Sequence, residues 1–383
     1  MKQGTPGFQG ERLRQARIAL GLTQASLALM LGYKESQVVG EFESSKVTPA
    51  PETFQRLLQI TRQPSHFFLR EMPADFKANP VLFRAMRSLD EIARARAEVA
   101  LMWLAEYVRY LREFVELPAV DLPDFSDIPI DPRSITDEHI RSAAQRLRHH
   151  WKLGRAPLPH LVNLLEANGF VIHVEAFDSH KWDAVSSWDE ATHTPLILLN
   201  SDKPSFFRLR YNLLHELFHL LFHRYADTEL RASKGYDQLL ERQAHLFAGE
   251  FALPHDAFPA DLYATNLDAL RLSKLKWGMS IGAMIHRLHD LKITNDREDN
   301  NLWKNYARRK WRNGEPLDAA HALEEPTIVH RTVELITEHQ VLSVADLRVG
   351  GLFSEDTQER FARMGEAFWH QPVPGLKVYK LYG

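Results

Sequence analysis

The residues best placed to do chemistry are two histidines and a glutamate in an H-E-x-x-H pattern, His215, Glu216 and His219. They lie in an apolar stretch compatible with a helix, where residues four apart lie one above the other. Both imidazoles would then point the same way and supply half of a tetrahedral zinc site, while Glu216 reaches the water on the metal. The bare pattern also has a second interpretation, a buried helix with two hydrogen-bonded histidines.

A third zinc ligand is needed, and Glu241 is the candidate. It lies 22 residues after His219 and begins a stretch whose apolar residues recur at helical spacing. A second helix there would pack across the first and bring a carboxylate to the metal. Two histidines, a glutamate and a water form a known catalytic zinc set. We therefore predict that His215, His219 and Glu241 bind one Zn²⁺ ion and that Glu216 is the catalytic base.

Other ligand sets fit the sequence less well. The pattern with a third histidine six residues after the second fails, because position 225 is Tyr. His223 would place three ligands along one line of the helix, so we expect it near the helix C-terminus instead. His245 lies one turn after Glu241, and we expect a structural or supporting role for it rather than metal binding.

Residues 200–254 resemble the ImmA/IrrE family of zinc metallopeptidases. The resemblance rests on an arginine-rich lead-in at 208–210, the His-Glu-Leu-x-His helix, and Glu-x-x-Ala-x-x-Phe-Ala at 241–248. It implies the same three zinc ligands and the same catalytic base. The family often has Gly where Phe218 stands and Asn where His245 stands. We therefore expect a tighter space beside the metal and altered surroundings of the third ligand.

The N-terminal part carries a second, independent signal. Residues 8–70 are predicted to form five short helices, with Gly32 in a tight turn and with Val38 and Phe42 facing inward. The first three helices are expected at 10–20, 23–31 and 34–43. The characteristic residues are Leu13-Arg-Gln-Ala-Arg17, Gly21-Leu-Thr-Gln24, Leu27-Ala28, Gly32 and Thr48-Pro49. With them the segment resembles the lambda-repressor-like (XRE) helix-turn-helix family, which implies a DNA-binding domain.

The second helix of such a motif enters the major groove by its N-terminal residues. The residues predicted to contact DNA are Arg14, Arg17, Gln24, Lys34, Glu35, Ser36 and Gln37. Gln37 and Ser36 are expected at base edges, and Glu35 is expected to accept a hydrogen bond from cytosine. Gln24 and the two arginines suit phosphates. Residues 1–72 carry only a net charge of +3, so the alternative is a module kept for protein docking or dimerisation.

Length and composition exclude several classes of protein. The chain has 383 residues, a net charge of −3 and no cysteine. The length suits two or three domains, and the lack of cysteine excludes disulfides and cysteine-based zinc fingers. No apolar run approaches the roughly 18 residues of a membrane span, and the N-terminus lacks the apolar core of a secretion signal. We therefore expect a cytoplasmic protein without a membrane partner.

The predicted fold class is mainly α with a small β-sheet (α+β). A helical stretch is expected at 80–116, and its apolar stripe, which predicts core packing or a dimer face, comprises Val99, Met102, Trp103, Tyr107, Tyr110 and Leu111. Runs at 170–175, 184–188 and 196–199 predict a sheet beside the H-E-x-x-H helix, with one edge strand along the cleft. The predicted domains are a helix-turn-helix domain at 1–72, a helical connector or dimerisation region at 73–132, a metallopeptidase domain at 133–300 and a helical region at 301–383.

These signals predict a DNA-binding transcriptional regulator fused to a zinc-dependent, gluzincin-like endopeptidase. The expected partners are double-stranded operator DNA, a regulatory protein encoded nearby that is the substrate or a regulator, and a second copy in a homodimer. The expected setting is stress, phage or toxin–antitoxin control. The alternative is a non-proteolytic transcription factor whose metallopeptidase-like half senses a ligand or metal; the intact Glu216 argues against it. Arg210, Tyr211 and His173 are candidates for stabilising the oxyanion.

Overall fold

The computed structural model describes residues 4–73, 91–180, 182–203, 205–226 and 233–370. The chain divides into two compact units. The first comprises 1–78, 98–117 and 327–383, and the second comprises 79–97 and 118–326. The predicted domain boundaries divide the chain differently and stay a prediction. No helix within the described ranges is both long enough and apolar enough to span a bilayer.

Helices dominate, and three strands form a small sheet, so the predicted fold class is confirmed. The helices are α1 Gly10–Ala19, α2 Gln24–Leu31, α3 Gln37–Glu43, α4 Pro51–Thr61, α5 Ser65–Leu69, α6 Glu91–Arg112, α7 Asp137–His150, α8 Leu161–Ala167, α9 Phe206–Phe218, α10 Lys234–Ala252, α11 Ala257–Ala260, α12 Leu267–Trp277, α13 Ile281–Asp290, α14 Asp296–Arg308, α15 Ile328–Glu338, α16 Val344–Gly350, α17 Glu355–Ala362 and α18 Glu366–Trp369. The strands are β1 Val171–Glu175, β2 Ala184–Asp189 and β3 Thr194–Asn200. Short 3₁₀ turns lie at Pro132–Ser134, Trp311–Asn313 and Asp318–Ala320, and a π-helical turn lies at His219–His223.

The first unit begins with the five predicted short helices, α1 to α5. Thr23 caps α2 because its side chain accepts the Ser26 amide. Gly32 ends α2 in the left-handed conformation at φ 88°, where a side chain would be strained. The turn between α2 and α3 therefore depends on glycine, as the sequence predicts.

The face and start of α3 differ from the prediction. Residues 34–36 precede the helix instead of opening it, and Ser36, the N-cap residue, forms no side-chain cap. The side chains that α3 buries are Val39 and Phe42, whereas Val38 is only half-buried. A shift of one residue turns a helical face by about 100°, which explains the exchange of Val38 for Val39.

The apolar stripe of α6 is core in the first unit. The side chains of Trp103 and Tyr107 are no more than 1% exposed. Their rings lie 5.2 and 6.5 Å from the ring of Phe353, between centroids. The predicted helical residues 80–90 lie outside the described part of the chain, so only the stripe of α6 itself is placed.

The predicted sheet is found in the second unit, with strand order β1-β3-β2. β1 runs parallel to β3, and β2 runs antiparallel to it. All seven residues of β3 are buried, as a continuous apolar run in a central strand requires. Among the described residues β2 pairs only with β3, so β2 is an edge strand.

Helices α9 and α10 pack across each other in the core of the second unit. The start of α9 is capped by the side chain of Ser205, which accepts the amide of Arg208. Phe218 of α9 and Phe247 of α10 have ring centroids 5.1 Å apart, and both are buried. Burying a side chain of this kind contributes about 1.5–3 kcal/mol. This contact holds the two helices that carry the H-E-x-x-H residues and Glu241.

Candidate metal centre and nucleic-acid interface

The three predicted ligands come together in the second unit. His215 lies in the last turn of α9, His219 follows directly in the π-helical turn, and Glu241 lies on α10. The Nε2 atoms of His215 and His219 are 3.0 Å apart. The Glu241 carboxylate places Oε2 3.2 Å from Nε2 of His215 and Oε1 3.5 Å from Nε2 of His219.

This donor set fits zinc. Ligand atoms about 2.0–2.2 Å from one tetrahedral ion are about 3.4 Å apart. The distance between the two Nε2 atoms and the distances from each of them to a Glu241 oxygen, Oε2 for His215 and Oε1 for His219, are 3.0 to 3.5 Å and lie on either side of that value. Two imidazole nitrogens and a carboxylate oxygen are also the donors of a known catalytic set that leaves one position for water.

The electrostatics of the cluster suit a cation. Burial by itself would raise the pKa of Glu241, but hydrogen bonds with His215 and His219 outweigh it, and the pKa is well below its ordinary range. Burial would lower the pKa of His215, but the contact with Glu241 and the charges of Glu216 and Glu241 raise it overall. The Glu241 carboxylate is therefore ionised, which is the form that can bind a cation.

The predicted base, Glu216, is held by the edge strand. Oε2 of Glu216 accepts a hydrogen bond from Oγ of Ser186 on β2 at 2.6 Å. Glu216 is half-buried next to His215 in the chain. The strand therefore orients the Glu216 carboxylate through Oε2.

His223 lies behind His219, in the interior. It is fully buried at the end of the π-helical turn, where we expected only a residue near the helix terminus. Its Nδ1 is 2.8 Å from Nδ1 of His219, and its Nε2 is 3.0 Å from Oε1 of Gln243 on α10. His223 is thus a partner of a predicted ligand and is not turned toward the metal position.

His245 and Tyr211 form the other border of the cluster. The rings of His245 and His215 are 4.6 Å apart between centroids, and one ligand atom of His245 lies within 4.8 Å of those of His215 and Glu241. The Tyr211 hydroxyl donates to the backbone oxygen of His245 at 3.1 Å. Of the oxyanion candidates, Tyr211 alone contacts this border. Arg210 is buried against Glu324, and His173 lies 3.2 Å from Glu175.

Phe218 does not narrow the space beside the three ligands. Its side chain is 1% exposed, and its ring packs against Phe222, Phe247 and His223. The expected tightening was wrong in its location, because the ring of Phe218 is buried in the core between α9 and α10.

In the first unit, a buried glutamate joins the three helices of the helix-turn-helix. Glu43 at the end of α3 binds Arg17 of α1 with N–O distances of 2.5 and 3.1 Å. It also accepts a hydrogen bond from Nε2 of Gln24, the first residue of α2, at 2.7 Å. Arg17 and Gln24 are thus engaged within the domain, and a phosphate contact by either would compete with Glu43.

The remaining predicted DNA contacts lie on the surface. Residues 34–36 are exposed just before α3, and Gln37, the first residue of α3, is exposed and donates to Glu41 at 2.8 Å. The Arg14 side chain is 54% exposed, with Glu11 3.5 Å away. These positions are available to a duplex, and their contacts with DNA stay a prediction.

Ser186, His223 and Gln243 are the site residues that the sequence did not assign. Gln243 carried a weak signal, a lone polar residue on the buried face of a helix, next to Ala244. Ser186 carried none, because its place depends on the pairing of β2 with β3.

Comparison with family models agrees with both parts of the structure. Residues 13–65 match the model of the helix-turn-helix family, and residues 165–289 match the model of the IrrE N-terminal-like domain. The second match includes all three candidate ligands and Glu216. A search of curated proteins found no match. The chain is therefore a fusion of an XRE-type helix-turn-helix domain with a domain of the IrrE N-terminal-like peptidase family.

Proposed function

We propose that this protein is a DNA-binding transcriptional regulator whose IrrE-like part is a zinc-dependent endopeptidase that cleaves a specific regulatory protein. The observation that carries the proposal is the convergence of His215, His219 and Glu241 at distances of 3.0 to 3.5 Å, with Glu216 beside them. Two imidazole nitrogens and a carboxylate at these distances can share one zinc ion. The carboxylate of Glu216 beside this set is the kind of general base that peptide hydrolysis requires.

The roles of the side chains follow from this geometry. A zinc ion in such a site supplies an activated water and a Lewis acid for a peptide carbonyl. Ser186 holds Oε2 of Glu216 at 2.6 Å, so Oε1 takes the proton of the attacking water. The same carboxyl group then delivers that proton to the leaving amine. Tyr211, on the border of the cluster, is the candidate donor for the oxyanion.

The edge strand supports an extended peptide as the substrate. Among the described residues, β2 pairs on one side only, and its Ser186 touches the proposed base. A substrate that adds a strand beside β2 would gain main-chain hydrogen bonds and pass close to Glu216. A peptide must be unfolded to bind in this way, so few exposed segments of a partner protein would qualify.

The first test is metal content. One Zn²⁺ per chain is expected in the purified protein, and His215→Ala or Glu241→Ala should abolish it because each removes one of three ligands. Glu216→Gln should retain it. Elemental analysis gives the stoichiometry, and full zinc in His215→Ala would overturn the ligand assignment.

The second test is cleavage. Glu216→Gln protein, which keeps zinc, serves to capture the products of neighbouring genes, and the parent protein is then assayed on each captured partner and on itself. We expect cleavage at few sites, lost both with a chelator and in Glu216→Gln. If fully metallated protein leaves all of these uncut, with and without single-stranded DNA as a stress signal, the metal- or ligand-sensing alternative replaces the peptidase.

The third test concerns DNA. Affinity for duplex DNA should fall as salt rises, because phosphate contacts release counterions. Gln37→Ala should relax sequence preference, whereas Arg14→Ala should weaken binding to all sequences alike. Gel shifts with the upstream region and with random duplexes measure both effects. No binding at low salt would favour the docking or dimerisation module.

A further inference from the structure

A chain of buried hydrogen bonds runs from His219 into the interior. Nδ1 of His219 is 2.8 Å from Nδ1 of His223, and Nε2 of His223 is 3.0 Å from Oε1 of Gln243. Nε2 of Gln243 in turn donates to the backbone oxygens of Pro132 at 2.8 Å and Ile135 at 3.1 Å. Both His223 and Gln243 are completely buried, so no water competes for these bonds at either side chain.

The two backbone oxygens decide the direction of every proton in this chain. A carbonyl oxygen accepts hydrogen bonds and cannot donate, so the amide nitrogen of Gln243 must face both carbonyls. If the amide were reversed, its oxygen would lie against two other oxygens with no proton between them. Oε1 of Gln243 therefore faces His223, and Nε2 of His223 carries the proton that it donates.

The tautomer of His219 follows. In a neutral imidazole one nitrogen donates and the other accepts. When His223 is neutral, its Nε2 donates and its Nδ1 accepts, so Nδ1 of His219 supplies the proton. Nε2 of His219 is then left with a lone pair, and it is the atom that lies 3.5 Å from Glu241 and 3.0 Å from Nε2 of His215.

We propose that His223 and Gln243 are positioning residues that hold His219 in the tautomer needed to bind the metal. The proposal rests on the zinc site proposed above and adds two residues that touch neither the metal position nor a substrate. Outer partners of metal-bound histidines are worth about 10- to 100-fold in metal affinity. His215 differs, since its Nδ1 is buried without a hydrogen-bond partner in the described structure. His223 and Gln243 therefore fix the tautomer of one ligand only, His219.

Zinc affinity of the full-length protein, measured by competition with a chromophoric chelator, tests the proposal. Gln243→Met removes the amide with little change of volume, and His223→Phe removes both ring nitrogens. We expect each to weaken zinc binding by about 10- to 100-fold. His223→Gln still offers an oxygen to Nδ1 of His219, and we expect it to restore most of the affinity that His223→Phe loses.

The first unit provides a matched control. Gln358 is also fully buried, and its Nε2 donates to the backbone oxygens of Leu347 at 2.8 Å and Phe353 at 2.9 Å. Gln358→Met therefore loses the same kind of bonds far along the chain from the ligands, and zinc affinity should not change. A folded Gln243→Met protein that binds zinc as tightly as the parent would overturn the proposal.

A second measurement keeps the proposal falsifiable if His223→Phe fails to fold. In zinc-free protein labelled with ¹⁵N-histidine, two-bond couplings identify which ring nitrogen carries the proton. We expect Nδ1–H for His219 and Nε2–H for His223, and a tautomer mixture at His219 in Gln243→Met. The opposite tautomer in the parent would refute the relay. A parent protein with these tautomers but without zinc affinity would refute the proposed metal site and leave the proton order standing.

Discussion

Ser186 links the sheet to the proposed base through a single hydrogen bond at 2.6 Å to Glu216. A hydrogen bond to a charged group contributes about 1.5–3 kcal/mol. We expect Ser186→Ala to lower kcat/KM on the cleaved partner by about 10-fold, because the carboxylate loses the contact that orients it. Zinc content should not change, since Ser186 contacts no ligand.

Ser187→Ala is the matched control for this prediction. Ser187 is the next residue on β2 and is 5% exposed, but alternate side chains of a strand point to opposite faces. Its loss should leave kcat/KM within about twofold of the parent value. Equal losses in the two variants would mean that β2 acts through its packing and not through the hydroxyl group of Ser186.

At this scale the sequence was informative where function depends on spacing along one helix. His215, Glu216 and His219 needed only the helical repeat, and Glu241 needed only a second helix. Ser186 could not be predicted, because its contact depends on the register of β2 against β3 and on the placement of α9 beside that strand. Neither the register nor the placement of the helix can be predicted from the local sequence.

Among the elements, α1, α2 and α3 are joined by the carboxylate of Glu43. The Arg17 and Glu43 side chains are 12% and 5% exposed, so removing one partner leaves a largely buried charge. We expect Glu43→Ala to lower the free energy of unfolding of the first unit by about 3 kcal/mol. DNA affinity should fall with it, because a smaller fraction of the helix-turn-helix is folded, and we expect this loss to outweigh the release of Arg17 and Gln24 for phosphates. Urea unfolding and gel shifts measure the two effects.

Glu11→Ala is the surface counterpart of that change. Glu11 and Arg14 are 42% and 54% exposed and 3.5 Å apart, and such pairs are worth about 0–1 kcal/mol. If Glu43→Ala cost no more than Glu11→Ala, Glu43 would not be the joint between the three helices.

A second pair of elements, α10 and α13, is joined by Glu250 and Arg287, which are both buried. Burial by itself would raise the pKa of Glu250, but the charge of Arg287 and the bonds from His255 and Arg287 lower it overall. A lowered folded-state pKa stabilises the protein fully above the unfolded-state value of about 4.3, and the stabilisation is lost as the pH falls through the folded-state pKa.

We therefore expect Glu250→Gln to be about 3 kcal/mol less stable than the parent near pH 7, since the buried Arg287 loses the carboxylate that is hydrogen-bonded to it. The difference should narrow once the pH falls below about 4.3. Urea unfolding of both proteins as a function of pH measures it. A difference that stays constant into acid would show that the charge of Glu250 contributes nothing to stability.

The type of each of these elements was predictable from apolar periodicity and turn residues, whereas the ends were less so. The start of α3 was misplaced by three residues, and no side-chain cap marks it, while both ends of α2 were predicted to within one residue because Thr23 and Gly32 mark them.

For the whole molecule, the first unit is assembled from three separated segments of chain. Phe353, from the last segment, is fully buried against Trp103 and Tyr107 of α6. We expect Phe353→Ala to destabilise the first unit by about 3–5 kcal/mol, seen as an earlier unfolding transition and weaker DNA binding. Zinc stoichiometry should stay at one per chain. Loss of zinc in a folded Phe353→Ala protein would contradict this.

The apolar stripe on α6 predicted that Trp103 and Tyr107 are buried, but it did not predict which residue packs against them. Their partner, Phe353, lies about 250 residues later in the sequence. An apolar stripe does not indicate which distant residue covers it. The predicted domains are continuous stretches of sequence, whereas the first compact unit is formed from separated segments; the domain boundaries stay a prediction.

The divided first unit has a consequence for synthesis on the ribosome. The chain emerges N-terminus first at about 5–20 residues per second, so α6 is exposed for on the order of 10–40 s while residues 118–326 are made. Throughout that time Trp103 and Tyr107 lack the ring of Phe353, and the nascent chain presents them to chaperones. The long uninterrupted segment of the second unit is complete before the last segment of the first has been translated. In each new molecule, the proposed protease would thus finish folding before the DNA-binding unit.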